Sequence, residues 1–152
     1  MHDCTAAAAP LVAWHDPCVS ALGIHHVGVA VRDLSEARER YERLFGATLE
    51  ARERVEEQGV DAMSMLLGAA GRVELLAPLA DDTPVGRFLA RRGEGMHHLA
   101  FGVADLRAAL DHLRAAGATL IDEQPRTGMY GHVAFVHHES LGRVLSELVQ
   151  AT

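Results

Sequence analysis

The sequence predicts an α+β fold in which two tandem βαβββ modules form one compact body. The first observation is an internal repeat: the His25-His26 pair, and the Val, Asp-Leu and Ala residues after it, recur 72 positions later from His97-His98 onward. The second is that Gly46-Ala47-Thr48-Leu49 recurs as Gly117-Ala118-Thr119-Leu120. The third is that each copy changes from strand-like to helix-like periodicity at its Asp-Leu pair. Two copies are too few for a solenoid, so we expect the modules to pair.

The first module opens with a strand and continues with a helix. The run after His25 is rich in β-branched residues, which is typical of a strand. Asp33 then stands where a helix N-cap belongs, and Gly46 suits the residue that ends the helix. One face of this helix carries apolar side chains at helical spacing, namely Leu34, Ala37, Tyr41, Leu44 and Phe45. Three further strands are predicted around Thr48–Val55, Asp61–Leu67 and Arg72–Ala77.

The second module repeats this order. Asp105 is its predicted N-cap, and Gly117 ends a helix with an apolar face of Leu106, Ala109, Leu110 and Leu113. Its later strands are predicted around Thr119–Glu123, His132–His137 and Arg143–Val149. A short connecting helix, Val85–Arg92, is predicted between the modules, after Thr83-Pro84 and before Gly93. We expect the strands to form two antiparallel-type sheets.

Length and composition indicate one soluble domain. The chain has 152 residues, of which 49% are hydrophobic and 23% charged. Its formal net charge of −7 makes nucleic acid and anionic membranes poor partners. No apolar run approaches the ~18 residues that a transmembrane helix needs. We therefore assign residues 22–152 to a single domain, with modules at about 22–80 and 94–152.

Residues 1–21 are interpreted as a flexible N-terminal leader outside the fold. The short apolar stretch Ala6–Ala13 lacks the preceding basic segment of a signal peptide. The two cysteines, Cys4 and Cys18, both lie in this leader, which is a weak disulfide signal. A reduced, cytoplasmic protein is therefore expected.

Strand alternation turns one histidine of each pair toward a face of small residues. In the first module His26 shares its face with Gly28 and Ala30, and in the second His98 shares its face with Ala100 and Gly102. The preceding histidines, His25 and His97, fall on the opposite, apolar faces, where they are expected to pack or hydrogen-bond. Small residues leave a cavity, and a histidine that points into it is a candidate metal ligand.

The last strand of each module adds one carboxylate at a matching place. Glu74 follows His26, and Glu147 follows His98, at nearly the same distance along the chain. An ionised Glu in an apolar strand is costly unless it is paired or coordinated. Two imidazoles and two carboxylates suit divalent Mn, Fe, Co, Ni or Zn. The repeat thus predicts one divalent ion held by His26, Glu74, His98 and Glu147.

The sequence also resembles the vicinal oxygen chelate enzymes and, more narrowly, the methylmalonyl-CoA epimerase family. The resemblance covers about Gly23 to Val149. It is carried by the final Glu147-Leu148 and by five segments, namely Ile24–Leu34, Glu57–Val60, Glu74–Leu79, Gly93–Phe101 and Asp122–Gly128.

This resemblance implies a glyoxalase-like fold, a homodimer and an acyl-CoA thioester as substrate. The implied reaction is a 1,1-proton transfer that interconverts (R)- and (S)-methylmalonyl-CoA. The family's metal ligands fall on the same four residues as above, with Co²⁺, Mn²⁺, Ni²⁺ or Zn²⁺ as the expected ion. Glu147 is implied as one of the two proton carriers. Glu74 is our candidate for the other, because it is a carboxylate where other members can have an amide. A ligated carboxylate is a weakened base, so water and the leading histidines of the two pairs are alternatives.

Three departures from the family pattern bear on this reading. Some members carry a catalytic Glu where this chain has Ala62, and alternation turns the adjacent Asp61 to the other face. The common His-Pro-Lys of a late loop reads His137-His138-Glu139, which removes a positive charge expected near coenzyme A phosphates. The common Gly-Gly-Val reads Gly142-Arg143-Val144. The acyl carrier, and relatives of the acyl group such as ethylmalonyl, are therefore left open.

Three other functions fit the same fold. A glyoxalase-type lyase or isomerase would use the same metal site on a thiol adduct. An iron-dependent ring-cleaving dioxygenase uses two His and one Glu, so a fourth ligand at Glu74 argues against it. A non-enzymatic small-molecule-binding protein needs no metal, and the full ligand set argues against that.

Overall fold

A computed structural model describes residues 21–152, which form three α-helices, two short 3₁₀-helices and eight strands. The predicted leader, apart from its last residue, lies outside the described residues, as do both cysteines. The helices are α1 (Leu34–Phe45), α2 (Pro84–Arg92) and α3 (Leu106–Ala115). The strands are β1 (Gly23–Ala30), β2 (Thr48–Val55), β3 (Val60–Leu67), β4 (Gly71–Pro78), β5 (Gly95–Gly102), β6 (Arg126–Gly128), β7 (Gly131–Val136) and β8 (Ser146–Ala151). No helix in this part of the chain combines the length and apolarity that a membrane crossing requires.

The eight strands form one sheet in the order β2-β3-β4-β1-β5-β8-β7-β6. Each module supplies four neighbouring strands, and the antiparallel pair of β1 and β5 joins them at the centre. The α+β class and the two paired modules are confirmed. The expected division into two sheets is wrong, because the opening strands pair with each other and so leave no free edge between the modules.

The helix caps are as predicted. The Asp33 side chain accepts hydrogen bonds from the Ser35 and Glu36 amides, and that of Asp105 accepts one from Ala108. The predicted apolar face of α1 is only partly buried. Its first turns pack well, but Leu44 and Phe45 are 57% and 68% exposed. The reason is that the apolar cluster beneath α1 ends at Tyr41.

The second module departs from the predicted strands in two places. Thr119–Glu123 is not a strand: Leu120 makes an isolated bridge, and the Asp122 carboxylate accepts a hydrogen bond from the Phe135 amide, which a strand partner would otherwise take. The second strand of this module is instead the short β6. The last strand, β8, begins at Ser146 rather than at Arg143, because the Arg143 amide donates to the His138 carbonyl in a tight turn.

Helices α1 and α3 pack on one face of the sheet. The other face carries the polar groups, and α2 packs there against Ala30, Ala62 and Leu76. Met63, Met65 and Leu75 pack beneath α1, while Ser64 and Glu74 alternate with them and face away. The buried polar side chains in the described part of the chain are His26, Ser64, Glu74, His98, Ser146 and Glu147. Four of these six are the predicted metal ligands.

Candidate metal centre and active site

The four predicted ligands lie on the four central strands, one on each. In the strand register Gly28 of β1 is paired with Glu74 on one side and with His98 on the other. Ala100 of β5 is likewise paired with His26 and Glu147. The small residues between the ligands therefore leave room for the four side chains to meet above them.

The ligand atoms converge. His26 Nε2 lies 3.0 Å from His98 Nε2, 3.1 Å from Glu147 Oε2 and 3.3 Å from Glu74 Oε2. His98 Nε2 lies 3.6 Å from each of the two carboxylates. Ligand atoms that bind one ion at ~2.0–2.2 Å are separated by roughly these distances. His26, His98 and Glu147 form the tightest group, with ligand atoms all within 4.8 Å of one another, and Glu74 touches both imidazoles from outside that group.

Burial and charge also fit a cation. All four side chains are buried, and the enclosed Glu147 Oε2 has the Nε2 atom of His26 3.1 Å away. Burial alone lowers the pKa of His26, but the Glu147 and Glu74 carboxylates outweigh it and raise that pKa to about 9. Burial and the nearby His26 hold the pKa of His98 well below its usual range. Without an ion, a protonated His26 therefore supplies the positive charge that the two carboxylates require. The donor set of two nitrogens and carboxylate oxygens fits a divalent ion.

The preceding histidines contact the ligands directly. The register of β1 and β5 shifts at His25 and again at His97, so that each is the extra residue of a β-bulge. His25 Nδ1 lies 2.9 Å from His26 Nδ1, and His97 Nδ1 lies 3.0 Å from His98 Nδ1. Their predicted hydrogen bonding is confirmed, but their predicted place on the apolar faces is wrong, because a bulge interrupts the alternation on which that prediction depended.

A polar cluster missed by the sequence analysis closes one side of the site. The Arg72 guanidinium donates to both oxygens of Glu50, at 2.6 and 2.7 Å, and the Ser64 hydroxyl donates to the same carboxylate. The Tyr130 ring lies 4.7 Å from that of His25 and 5.0 Å from that of His26. Burial raises the pKa of Tyr130. Arg72 stands two residues before Glu74 in an alternating strand, which was the available signal.

A cavity of about 430 Å³ opens beside His98. Its wall includes Leu76, which follows Glu74 on the same face of β4, and Phe135, the cross-strand partner of Glu147. Ala62 is 1% exposed within an apolar cluster and supplies no acid or base. Asp61 forms an ion pair with Arg52 at 2.7 Å, in agreement with its predicted place on the face opposite Ala62.

The model of the Glyoxalase/Bleomycin resistance protein/Dioxygenase superfamily matches residues 25–135. This span reaches from the first histidine pair into β7 and includes most of both modules. The chain therefore belongs to this superfamily.

Three relatives define its place within the superfamily. Methylmalonyl-CoA epimerase of Bos taurus is 35% identical over 84% of this chain and 74% of its own length. Ethylmalonyl-CoA/methylmalonyl-CoA epimerase of Cereibacter sphaeroides is 34% identical over 84% and 96%. A Streptomyces coelicolor methylmalonyl-CoA epimerase variant, solved in complex with 2-nitronate-propionyl-CoA, superposes with a TM-score of 0.84 at 36% identity, over 88% of this chain and 99% of that one. The resemblance to the methylmalonyl-CoA epimerase family is confirmed.

Proposed function

We propose that the chain is a metal-dependent epimerase that interconverts (R)- and (S)-methylmalonyl-CoA, or a related alkylmalonyl thioester, by 1,1-proton transfer. The observation that carries this proposal is the convergence of His26, Glu74, His98 and Glu147 beside a cavity, in a chain whose relatives are epimerases of this kind.

His26, Glu74, His98 and Glu147 would hold one divalent ion, for which we propose Co²⁺, Mn²⁺, Ni²⁺ or Zn²⁺. When bound, such an ion supplies positive charge that favours the enolate form of the thioester. The protein holds two of these side chains in each module, so the docked modules set the geometry of the whole site. The apolar wall formed by Leu76 and Phe135 excludes water from the acyl group.

Epimerisation needs a proton acceptor on one face of the α-carbon and a donor on the other. We assign Glu147 to one of these tasks and Glu74 to the other. The two carboxylates lie near different parts of the cavity wall. Phe135, the strand partner of Glu147, forms one part, and Leu76, which lies on the same strand as Glu74, forms the other. Ala62 leaves β3 without a carboxylate in its apolar cluster, so the second carrier must come from another strand.

Proton NMR in deuterium oxide tests the function. The metal-loaded protein should exchange the α-proton of methylmalonyl-CoA for deuterium, and His98→Ala should abolish that exchange. Ethylmalonyl-CoA and a glutathione thiol adduct are tested as substrates in parallel with methylmalonyl-CoA. Turnover of the thiol adduct without exchange of either malonyl thioester would overturn the epimerase assignment in favour of a glyoxalase-type reaction.

We further infer a homodimer that works in the cytoplasm, in keeping with an acyl-CoA substrate. The two central strands carry exposed apolar side chains, including Ile24 of β1 at 65% and Met96 of β5 at 63% exposure. Exposed apolar side chains are typical of an interface between protein chains. Sedimentation of the wild type and of Met96→Glu tests the dimer, and cell fractionation tests the location.

A further inference from the structure

A second cavity, of about 640 Å³, opens on the other side of His97 and His98. Four arginines line it: Arg87, Arg91 and Arg92 come from α2, and Arg143 comes from the turn before β8. His138 is a fifth basic group in the wall, and none of the lining residues is acidic. The wall is therefore cationic although the chain as a whole carries a net charge of −7.

The charge of these arginines is not compensated within the described part of the chain. Most of the other described arginines form ion pairs with carboxylates, namely Arg38, Arg40, Arg52, Arg54, Arg72, Arg114 and Arg126. The four in the cavity wall form none among residues 21–152. The nearby Glu94 carboxylate is already engaged, since it accepts a hydrogen bond from the Arg32 amide at 2.7 Å. Unpaired guanidinium groups around a concave surface form a site for an anion.

Arg143 adds a second, independent observation. It has a φ of 70° and is the only residue other than glycine with a positive φ in the described chain. A side chain in this left-handed region is uncommon, and glycine adopts it without strain. Arg143 is also exposed, so packing does not explain it. Strained backbone of this kind is concentrated at functional sites, which indicates a role for the guanidinium itself.

We propose that this cavity binds the phosphate groups of the coenzyme A carrier, with Arg143 as a principal contact; this rests on the proposed function. The two cavities share Pro84, His97, His98 and Leu145 in their walls, so they adjoin each other beside the proposed metal centre. A thioester in the first cavity can therefore extend its pantetheine arm toward the arginines. One guanidinium group can bind two oxygens of a phosphate through two parallel N–H···O hydrogen bonds. The four arginines of the cavity wall supply the positive charge that the neighbouring loop lacks at Glu139.

Binding measurements test this directly and do not depend on turnover. Metal-loaded protein is titrated calorimetrically with coenzyme A, with dephospho-coenzyme A and with pantetheine. We expect coenzyme A to bind most tightly, pantetheine most weakly, and the difference to shrink as salt is added. Arg143→Gly should weaken coenzyme A binding about tenfold or more and leave pantetheine binding unchanged. The same variant should be at least as stable as the wild type, because glycine relieves the strained φ.

The matched control is Arg43→Ala, an exposed arginine of α1 that lies outside the cavity and outside the ion pairs of residues 21–152. It should not change coenzyme A binding, whereas Arg91→Ala should weaken it. Equal affinity for coenzyme A and pantetheine, or an unchanged affinity in both Arg143→Gly and Arg91→Ala, would overturn the proposal. So would preferential binding of a phosphopantetheine arm attached to a carrier protein. Tight, arginine-dependent binding of coenzyme A without proton exchange would support this site while removing the epimerase assignment.

Discussion

The Nδ1 atoms of His25 and His26 lie 2.9 Å apart, so two consecutive residues of one strand share a hydrogen bond between their rings. His97 and His98 repeat this relationship at 3.0 Å in the other module. A histidine that binds an ion through Nε2 carries its proton on Nδ1 and needs an acceptor for it. His25 and His97 are placed to be those acceptors.

His25→Phe is therefore expected to weaken metal binding about 10- to 100-fold, because it keeps an aromatic ring in place but removes the acceptor. Calorimetric titration with Zn²⁺ measures the affinity, and His132→Phe at an exposed position of β7 is the control. In the Zn²⁺-loaded wild type, a nitrogen–nitrogen coupling across the hydrogen bond should be visible by NMR. Unchanged affinity in His25→Phe would show that the contact does not position His26.

Gly28→Ala should destroy the metal centre without altering any ligand. A Cβ at Gly28 would lie 2.2 Å from Cε1 of His98, which is too close for the imidazole to keep its place. Gly102→Ala, on the strand paired with β1, is the matched control, because its Cβ would have no neighbour nearer than 3.7 Å. Elemental analysis of the two purified variants should find the ion only in Gly102→Ala. Full metal content in a folded Gly28→Ala would show that His98 is not a ligand.

Glu147→Gln and Glu74→Gln should both slow deuterium wash-in at the α-carbon. Removal of a general base typically costs ~10²–10⁴-fold in rate. The comparison is valid for variants that still contain metal, which elemental analysis establishes. If Glu74→Gln keeps its metal and exchanges at the original rate, Glu74 is a ligand only. The same result for Glu147→Gln would refute the assignment of both proton carriers.

The pair of Glu50 and Arg72 should make stability depend on pH in the acid range. The hydrogen bonds from Arg72 lower the pKa of Glu50 from 4.5 to about 2. The folded state therefore favours the carboxylate, so this contribution is present above about pH 4.5 and is lost as the pH falls toward 2. Because both side chains are partly exposed, we expect Glu50→Gln to lower the free energy of unfolding at neutral pH by about 0.5–1 kcal/mol. Urea unfolding at several pH values should show a shallower acid dependence in Glu50→Gln than in the wild type, and Glu53→Gln on the same strand is the control.

The internal repeat was sufficient to predict the two modules and the meeting of His26, Glu74, His98 and Glu147. Matching positions in two copies of one module become neighbours when the copies pair about a twofold axis. The strand bulges could not be predicted from the repeat, because the extra residue at His25 or His97 is defined only by the pairing of β1 with β5. Alternation read along one strand cannot reveal it.

The same limit applies to groups that come together from distant segments. Glu50, Arg72 and Tyr130 lie on β2, on β4 and in the turn after β6, and nothing in their spacing links them. Arg143 was noted as a departure from glycine, but its backbone strain and its position opposite α2 depend on the folded turn. Leu44 and Phe45 fit a helical apolar face, yet the face continues beyond what the sheet can cover.

The antiparallel pairing of β1 with β5 places the boundary between the modules through the middle of the proposed metal centre. A chain with only one module would carry half of the ligands, and two such chains would have to associate before an ion could be held. Because both modules belong to one chain, assembly of the site does not depend on protein concentration. The two modules can also differ in sequence. The histidine of the first half, His26, has Tyr130 beside it with Arg72 over that ring, while the histidine of the second half, His98, has Phe135 beside it. A symmetric pair of chains presents the same chemistry twice, whereas this chain can offer unlike surroundings to the two faces of a single carbon atom.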